Sequence, residues 1–210
     1  PTQNHWSSIP EPGAPLARSG ATGVWTGNQL IVWGGRLGLG DAGDGGRLSI
    51  PQGAPMSWQS ITRNGALSPR QGHSAVWTGG RMIVWGGISG TTLLDDGASY
   101  DPVTDQWSRV SRIDAPSARK GHNAIWTGKE MIILFGSDQD GEAASAHAYD
   151  PVRDLWRALP SSGSPIARVG AAVAWTGFEI VVFGGEANGS PLAALQKIDP
   201  EPPIYLYRKP

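Results

Sequence analysis

The tripeptide Trp-Thr-Gly recurs four times, beginning at Trp25, Trp77, Trp126 and Trp175, at spacings of 52, 49 and 49 residues. An Arg stands seven residues before each copy (Arg18, Arg70, Arg119, Arg168), and a Gly stands two residues after each Arg (Gly20, Gly72, Gly121, Gly170). An apolar run then leads to a glycine pair, ending at Gly35, Gly87 and Gly185; the third copy reads MIILFGS, with Ser137 in place of the second Gly. Tyr100-Asp101-Pro102 returns as Tyr149-Asp150-Pro151 and, weakened, as Ile198-Asp199-Pro200. Aromatic residues close the copies at Trp58, Trp107, Trp156 and Tyr205, each 49 residues from the last, and Trp6 lies 52 before Trp58. A chain built this way buries its apolar surface by stacking one copy on the next, and a period near 49 fits a propeller blade of four strands.

Each copy reads as strand, tight turn, strand, long loop, strand, turn, strand. In the second copy the first strand runs from about His73 to Trp77, and Gly79 permits the positive φ of a tight hairpin. Met82–Trp85 is a short continuous apolar run suited to burial on both faces. The glycine pair lets two backbones approach where side chains would collide. Pro102 ends the third strand because it has no N–H for the ladder, and Asp101 is placed to accept backbone N–H groups in the turn that follows. The repeated Trp residues read as packing between blades. The fold class is therefore all-β: a propeller of four-stranded antiparallel blades in one domain over 1–210, with blades at about 7–58, 59–107, 108–156 and 157–207 and residues 1–6 as a stray outer strand.

Composition closes off several chemistries. The chain has no cysteine, so disulfides, thiolate metal sites and Cys nucleophiles are excluded. Lys plus Arg total 17 against 18 Asp plus Glu, a net charge of -1 that gives no electrostatic case for nucleic acid. No run of about 18 apolar residues exists to span a membrane as a helix. The 30 glycines and ten tryptophans suit many tight turns joining short, heavily packed strands. Low charge, abundant Gly and Trp and no cysteine point to a secreted or envelope protein of a bacterium, with a cytoplasmic scaffold as the alternative. The start at Pro1 fits processing, excision from a longer protein, or trimming.

The openings Arg70-x-Gly72-His73 and Arg119-x-Gly121-His122, the glycine pair after an apolar strand and the Tyr-Asp-Pro…Trp close resemble the kelch repeat over nearly the whole chain. The resemblance implies a β-propeller of four-stranded blades and leaves function open, since kelch propellers include interaction scaffolds, sugar-processing enzymes and accessory domains. The chain departs from the pattern at Ile50-Pro51-Gln52, which replaces Tyr-Asp-Pro, and at Ala21 and Ala171, which replace His. Copper-radical oxidases of this fold need a cysteine, so that activity is excluded.

Four first-strand signals accompany five fourth-strand signals. Three arrangements follow: part of a larger ring, a compact four-bladed ring, or two chains pairing to make eight blades. A partial or partner-completed propeller is the favoured one, because an open arc leaves an apolar face at each end.

Alternating strand direction gathers the long loops (36–46, 88–97, 137–145 and 186–194) on one face of the disc with the starts of the first strands. The loops carry Asp41, Asp44, Asp95, Asp96, Asp138, Asp140, Glu142 and Glu186, which predicts an inner ring of Arg18, Arg70, Arg119 and Arg168 within an acidic rim. The arginines either hold loops in place or form a central site for an acidic peptide or carboxylated sugar. His73 and His122 follow the motif directly and are candidate ligand contacts or packing groups. Asp138-Gln139-Asp140-Gly141-Glu142 resembles half of an oxygen-ligand calcium loop, so that Asp138, Asp140 and Glu142 are the candidate metal ligands, or it is a solvated turn. No catalytic residue is assigned. The expected function is a non-catalytic binding module presenting its loop face to a protein or glycan. The alternatives are a structural subunit of a surface or envelope assembly, and a propeller-type epimerase, lyase or hydrolase.

Overall fold

The computed structural model describes residues 6–161 and 165–200, and every regular element among them is a strand. Blade 1 pairs Thr22–Trp25, Gln29–Trp33, Gly45–Ser49 and Ser57–Ser60 in that order, all antiparallel. Blade 2 pairs Ser74–Trp77, Met82–Trp85, Gly97–Asp101 and Gln106–Arg109, and blade 3 pairs Asn123–Trp126, Met131–Leu134, Ala146–Asp150 and Leu155–Ala158. Blade 4 shows three strands, Ala172–Trp175, Ile180–Phe183 and Leu195–Ile198. The predicted strand at Tyr205 and residues 1–5 of the predicted stray strand lie outside the described residues; Trp6 belongs to no strand and is exposed.

The sheets stack through three apolar layers. Ile31 and Trp33 of blade 1 meet Met82 and Val84 of blade 2; Ile83 and Trp85 meet Met131 and Ile133; Ile132 and Leu134 meet Ile180 and Val182. All twelve side chains are fully buried. This is why the second strands are apolar on both faces: one face looks back a blade and the other forward. Trp33 packs on Trp107 and Trp85 on Trp156, with ring centroids 5.5 and 5.7 Å apart, so a fourth-strand indole closes the layers between blades 1 and 2 and between blades 2 and 3. The Trp-Thr-Gly indoles are less enclosed. Trp77, Trp126 and Trp175 are half-buried against these layers, and Trp25, with no blade behind it, is 49% exposed. Among the described residues the sheets pack blade 1 on 2, 2 on 3 and 3 on 4, and the outer faces of blades 1 and 4 leave Trp25 and Phe183 exposed.

The long loops are ordered ribbons. Each folds into a two-residue-per-side hairpin, such as Arg36–Leu37 with Gly40–Asp41 and Ile88–Ser89 with Thr92–Leu93. An isolated bridge pins each hairpin to the residue after the motif arginine: Ser19 to Arg36, Gln71 to Ile88, Lys120 to Ser137, and Val169 to Glu186.

These bridges correct the reading of the third copy. Ser137 is equivalent to Ile88 and lies after the glycine pair; Gly136 holds the second glycine position, and Phe135 holds the first. Phe135 is 1% exposed and has φ 61°, the left-handed region that elsewhere in the series is occupied by Gly34, Gly86 and Gly184. The next blade explains how a large residue fits. A Cβ on Gly34 would lie 2.5 Å from His73 Cε1, and one on Gly86 2.7 Å from His122 Cε1. At the third junction the histidine is replaced by Ala171, and the Phe135 ring takes its room, with the Arg168 guanidinium carbon 5.3 Å from the ring centroid. Bulk has moved from one blade to its neighbour across the junction.

A double-mutant cycle tests this exchange. Phe135→Gly loses a buried ring but relieves the left-handed strain of a non-glycine, and should cost about 2–4 kcal/mol. Ala171→His alone forces a ring into filled space and should cost a similar amount. Together they rebuild the arrangement of the first two junctions, and denaturant titration should show them less destabilising than the sum by at least about 1 kcal/mol.

Candidate functional site

The four motif arginines do not line an open ring. Arg70, Arg119 and Arg168 are at most 1% exposed, and each acts as a clip within its blade. Nε donates to the carbonyl two residues back, at Leu16, Ser68, Ser117 and Ile166. Nη1 donates to the carbonyl that ends the second strand, at Gly34, Gly86, Phe135 and Gly184, over 2.9–3.1 Å. A third bond reaches past the ribbon to the start of the third strand: Asp44 and Asp96 accept from Arg18 and Arg70, whereas Ser145 and Gln196 accept from Arg119 and Arg168, all at 2.8 Å. Leu16 stands where Ser68 and Ser117 supply a hydroxyl, and Arg18 Nη2 is left without a partner. Burial pulls the Arg70 and Arg119 guanidinium pKa down, and for Arg70 the Asp96 carboxylate opposes it. Burial works against the Asp44 carboxylate, but Arg18 and Arg63 outweigh it and hold its pKa below the usual range.

The acidic rim is likewise largely engaged. Besides Asp44 and Asp96, Asp95 pairs with Arg112, Asp138 accepts from Ser117, Asp41 accepts from the Gly90 amide, and Glu142 accepts from the Asn188 amide. The last two tie one ribbon tip to the next. Of the eight loop acids only Asp140 and Glu186 have side chains without a partner among the described residues. Asp138, Asp140 and Glu142 do not converge as a calcium loop would require: Asp138 Oδ1 accepts the Asp140 amide in the hairpin turn, while Glu142 faces blade 4. Among the described residues no three His, Asp or Glu side chains gather to hold a metal ion.

His73 and His122 sit in the junctions and not in a cleft. Thr22 Oγ1 lies 2.9 Å from His73 Nε2, and Ser74 Oγ 2.7 Å from His122 Nε2, so each ring is bonded to the preceding blade's first strand. Each also meets a Trp edge-on, Trp33 and Trp85. Burial, then the charge of Arg70, lowers the His73 pKa to about 4; burial, then Arg119 and His73, lowers that of His122 to about 3.

What faces solvent at the centre of the loop face is a set of residues that motif reading passed over. A cavity of about 480 Å³ is walled by Arg36 from blade 1, Gln71 and Ile88 from blade 2, Lys120 and Ser137 from blade 3 and Val169 from blade 4, with Gly72, Gly90 and Gly121 flooring the gaps. These are the residue between the motif Arg and Gly, and its bridge partner on the ribbon. Arg36 and Lys120 are exposed and make no ion pair among the described residues. The signal that could have found them is variation inside a fixed frame: the intervening residue is Ser19, Gln71, Lys120 and Val169 while its neighbours repeat. On the opposite face, grooves of about 460 and 380 Å³ lie beside the Trp-Thr-Gly turns.

The buried histidines make stability depend on pH in a stated direction. Their folded pKa values lie below the unfolded value of about 6.5, so the unfolded chain binds more protons between pH 6.5 and 4. Stability is therefore full above pH 6.5 and falls as the pH drops, by roughly 1–3 kcal/mol per unit for the two rings together. Urea midpoints measured from pH 7.5 to 4.5 should fall more steeply for the parent than for a His73→Gln, His122→Gln double variant.

No curated protein matches the chain. A family model described as the KLHDC2/KLHL20/DRC7 Kelch-repeats domain matches residues 1–185. With the stacked blades, the arginine clips and the glycine-pair junctions, that match makes the chain a member of the kelch-repeat domain family.

Proposed function

We propose that this chain is a non-catalytic binding module that takes a protein ligand on its loop face, in the cavity between Arg36, Gln71, Lys120 and Ser137. Kelch-repeat domains commonly bind proteins. The observation that carries the reading is the cavity itself, which collects side chains from all four blades on a scaffold whose motif arginines and histidines are engaged in holding it. Two cations without an ion pair among the described residues, Arg36 and Lys120, favour a ligand segment bearing carboxylates, and the bridged ribbon beneath them limits the ordering cost to the side chains themselves. Gln71 and Ser137 add neutral hydrogen-bonding groups, and Ile88 and Val169 supply apolar wall.

Affinity capture with the intact chain as bait tests this. A protein retained by the parent should bind at least about tenfold more weakly to Arg36→Glu and Lys120→Glu variants, with the parent's own affinity falling as salt rises. Lys129→Glu, which reverses an unpaired cation on the opposite face, should bind like the parent. A ligand sensitive to Lys129→Glu and indifferent to Lys120→Glu would place the docking surface on the turn face, and capture of glycan in place of protein would redirect the reading to sugars.

A further inference from the structure

On the turn face the blades share an arrangement that blade 1 breaks. In blades 2, 3 and 4 the residue two places after the Trp-Thr-Gly glycine is charged and held by its own blade: Arg81 by Asp101, Glu130 by Arg157 and Glu179 by Lys197. In blade 1 that residue is Gln29, paired in the ladder with Ser49, and its side chain makes no hydrogen bond among the described residues.

Blade 2 departs at the position just before, which is Asn28, Gly80, Lys129 and Phe178 in the four blades. Gly80 does not take the left-handed backbone that calls for glycine, and a Cβ built on it would meet nothing within 4 Å. Neither conformation nor packing requires a glycine there. Its effect is to leave the space beside Trp77 uncovered, where blades 3 and 4 carry long side chains.

Both departures meet in the groove of about 380 Å³ between blades 1 and 2. Half-buried Trp77 and the 90% exposed Val103 form its apolar wall, and Asn28 and Gln29 face them as primary amides. Thr26 Oγ1 donates to Asn28 Oδ1 at 2.9 Å, which orients the amide and leaves both of its N–H donors unspent. The Trp77 indole N–H is unspent as well among the described residues. No charged side chain lines this groove, whereas Lys129, Asp150 and Arg153 line its counterpart between blades 2 and 3.

We propose that the groove between blades 1 and 2 binds a neutral sugar unit of an oligosaccharide. A pyranose has an apolar C–H face to lay against Trp77 and Val103, and a hydroxyl edge to accept from Asn28 and to exchange hydrogen bonds with Gln29. A charged ligand would give up hydration here and find no counter-charge. An extended peptide gains affinity by pairing its main chain with a strand edge, which a set of turns does not offer. The site lies on the face opposite Arg36 and Lys120 and is independent of what the loop face binds.

An array of neutral gluco-, manno-, galacto- and xylo-oligosaccharides, with uronate oligosaccharides alongside, probed with the intact labelled chain, tests the proposal; calorimetric titration of the retained sugar follows. A neutral oligosaccharide should be retained and the uronates not, with an affinity that changes less than about twofold between roughly 0.1 and 1 M salt. Trp77→Ala should weaken it at least about tenfold. Because Trp77 also packs on the core, Gly80→Phe is the second variant. It places blade 4's side chain over the groove, and it should weaken binding as much while leaving the urea midpoint unchanged. Lys120→Glu should bind the sugar like the parent. The proposal is overturned if no neutral oligosaccharide binds at up to about 10 mM, if binding withstands both Trp77→Ala and Gly80→Phe, or if a proline-rich decapeptide binds with that sensitivity and the sugars do not.

Discussion

A guanidinium placed where water cannot reach it organises each blade. A buried charge is costly unless its donors are met, and here they are met by backbone carbonyls and by one side chain at the head of the third strand. Those acceptors belong to three segments far apart in the chain: the link before the first strand, the end of the second, and the far side of the ribbon. One side chain therefore fixes where the ribbon leaves the sheet and where it returns. The counter-charge is secondary: Arg18 and Arg70 have a carboxylate partner, while Arg119 and Arg168 keep the same geometry with Ser145 and Gln196. What the four clips share is carbonyl acceptance, which makes the arginine an anchor for backbone and not half of an ion pair.

Rigid anchoring of the ribbon is what frees the neighbouring positions to vary. The residue between the anchor arginine and its glycine is held by backbone bonds to the ribbon, which leaves its side chain free to vary, and in blades 2, 3 and 4 that residue (Gln71, Lys120, Val169) lines the central cavity. Of the four such positions and their four bridge partners, six line that cavity. A frame of repeated residues with variable residues set into it is what a binding surface needs: the positions stay constant while the side chains change.

The same division explains what the sequence alone could and could not convey. Strand order, the buried second strands and the turn role of Asp101 followed from period, hydropathy and side-chain chemistry, and Asp101 Oδ1 does accept the Val103 and Thr104 amides. The arginines were found by their repetition, yet repetition marks what every blade needs, and what every blade needs is structural. Contacts to a ligand need not repeat, and the two cations proposed to make them, Arg36 and Lys120, stood outside every motif. The partners of the rim acids were hidden for a related reason: counting carboxylates in a loop does not reveal that Asp41 and Glu142 will cap the next ribbon, or that Asp44 and Asp96 will turn inward to the clips. The third glycine pair was misplaced by one residue because the eye aligns glycines, whereas the bridge of Lys120 to Ser137 aligns backbones.

That misplaced residue carries a wider consequence. Junctions in a repeat array are often treated as interchangeable, with stability a sum of equal interface terms. Here the bulk that fills a junction is supplied by the following blade at the first two and by the preceding blade at the third. A blade with Phe at the first glycine position cannot precede one with His, because both would claim the same space, and a blade with Gly cannot precede one with Ala without leaving it empty. The order of blades 2, 3 and 4 is thus written into side-chain volume as well as into chain connectivity. Because the central cavity draws one wall from each blade, fixing blade order also fixes which side chains face each other across it. Packing at the junctions and chemistry at the loop face are then two results of one arrangement: shape complementarity sets the sequence of blades, and the sequence of blades sets Arg36 and Lys120 around a common space.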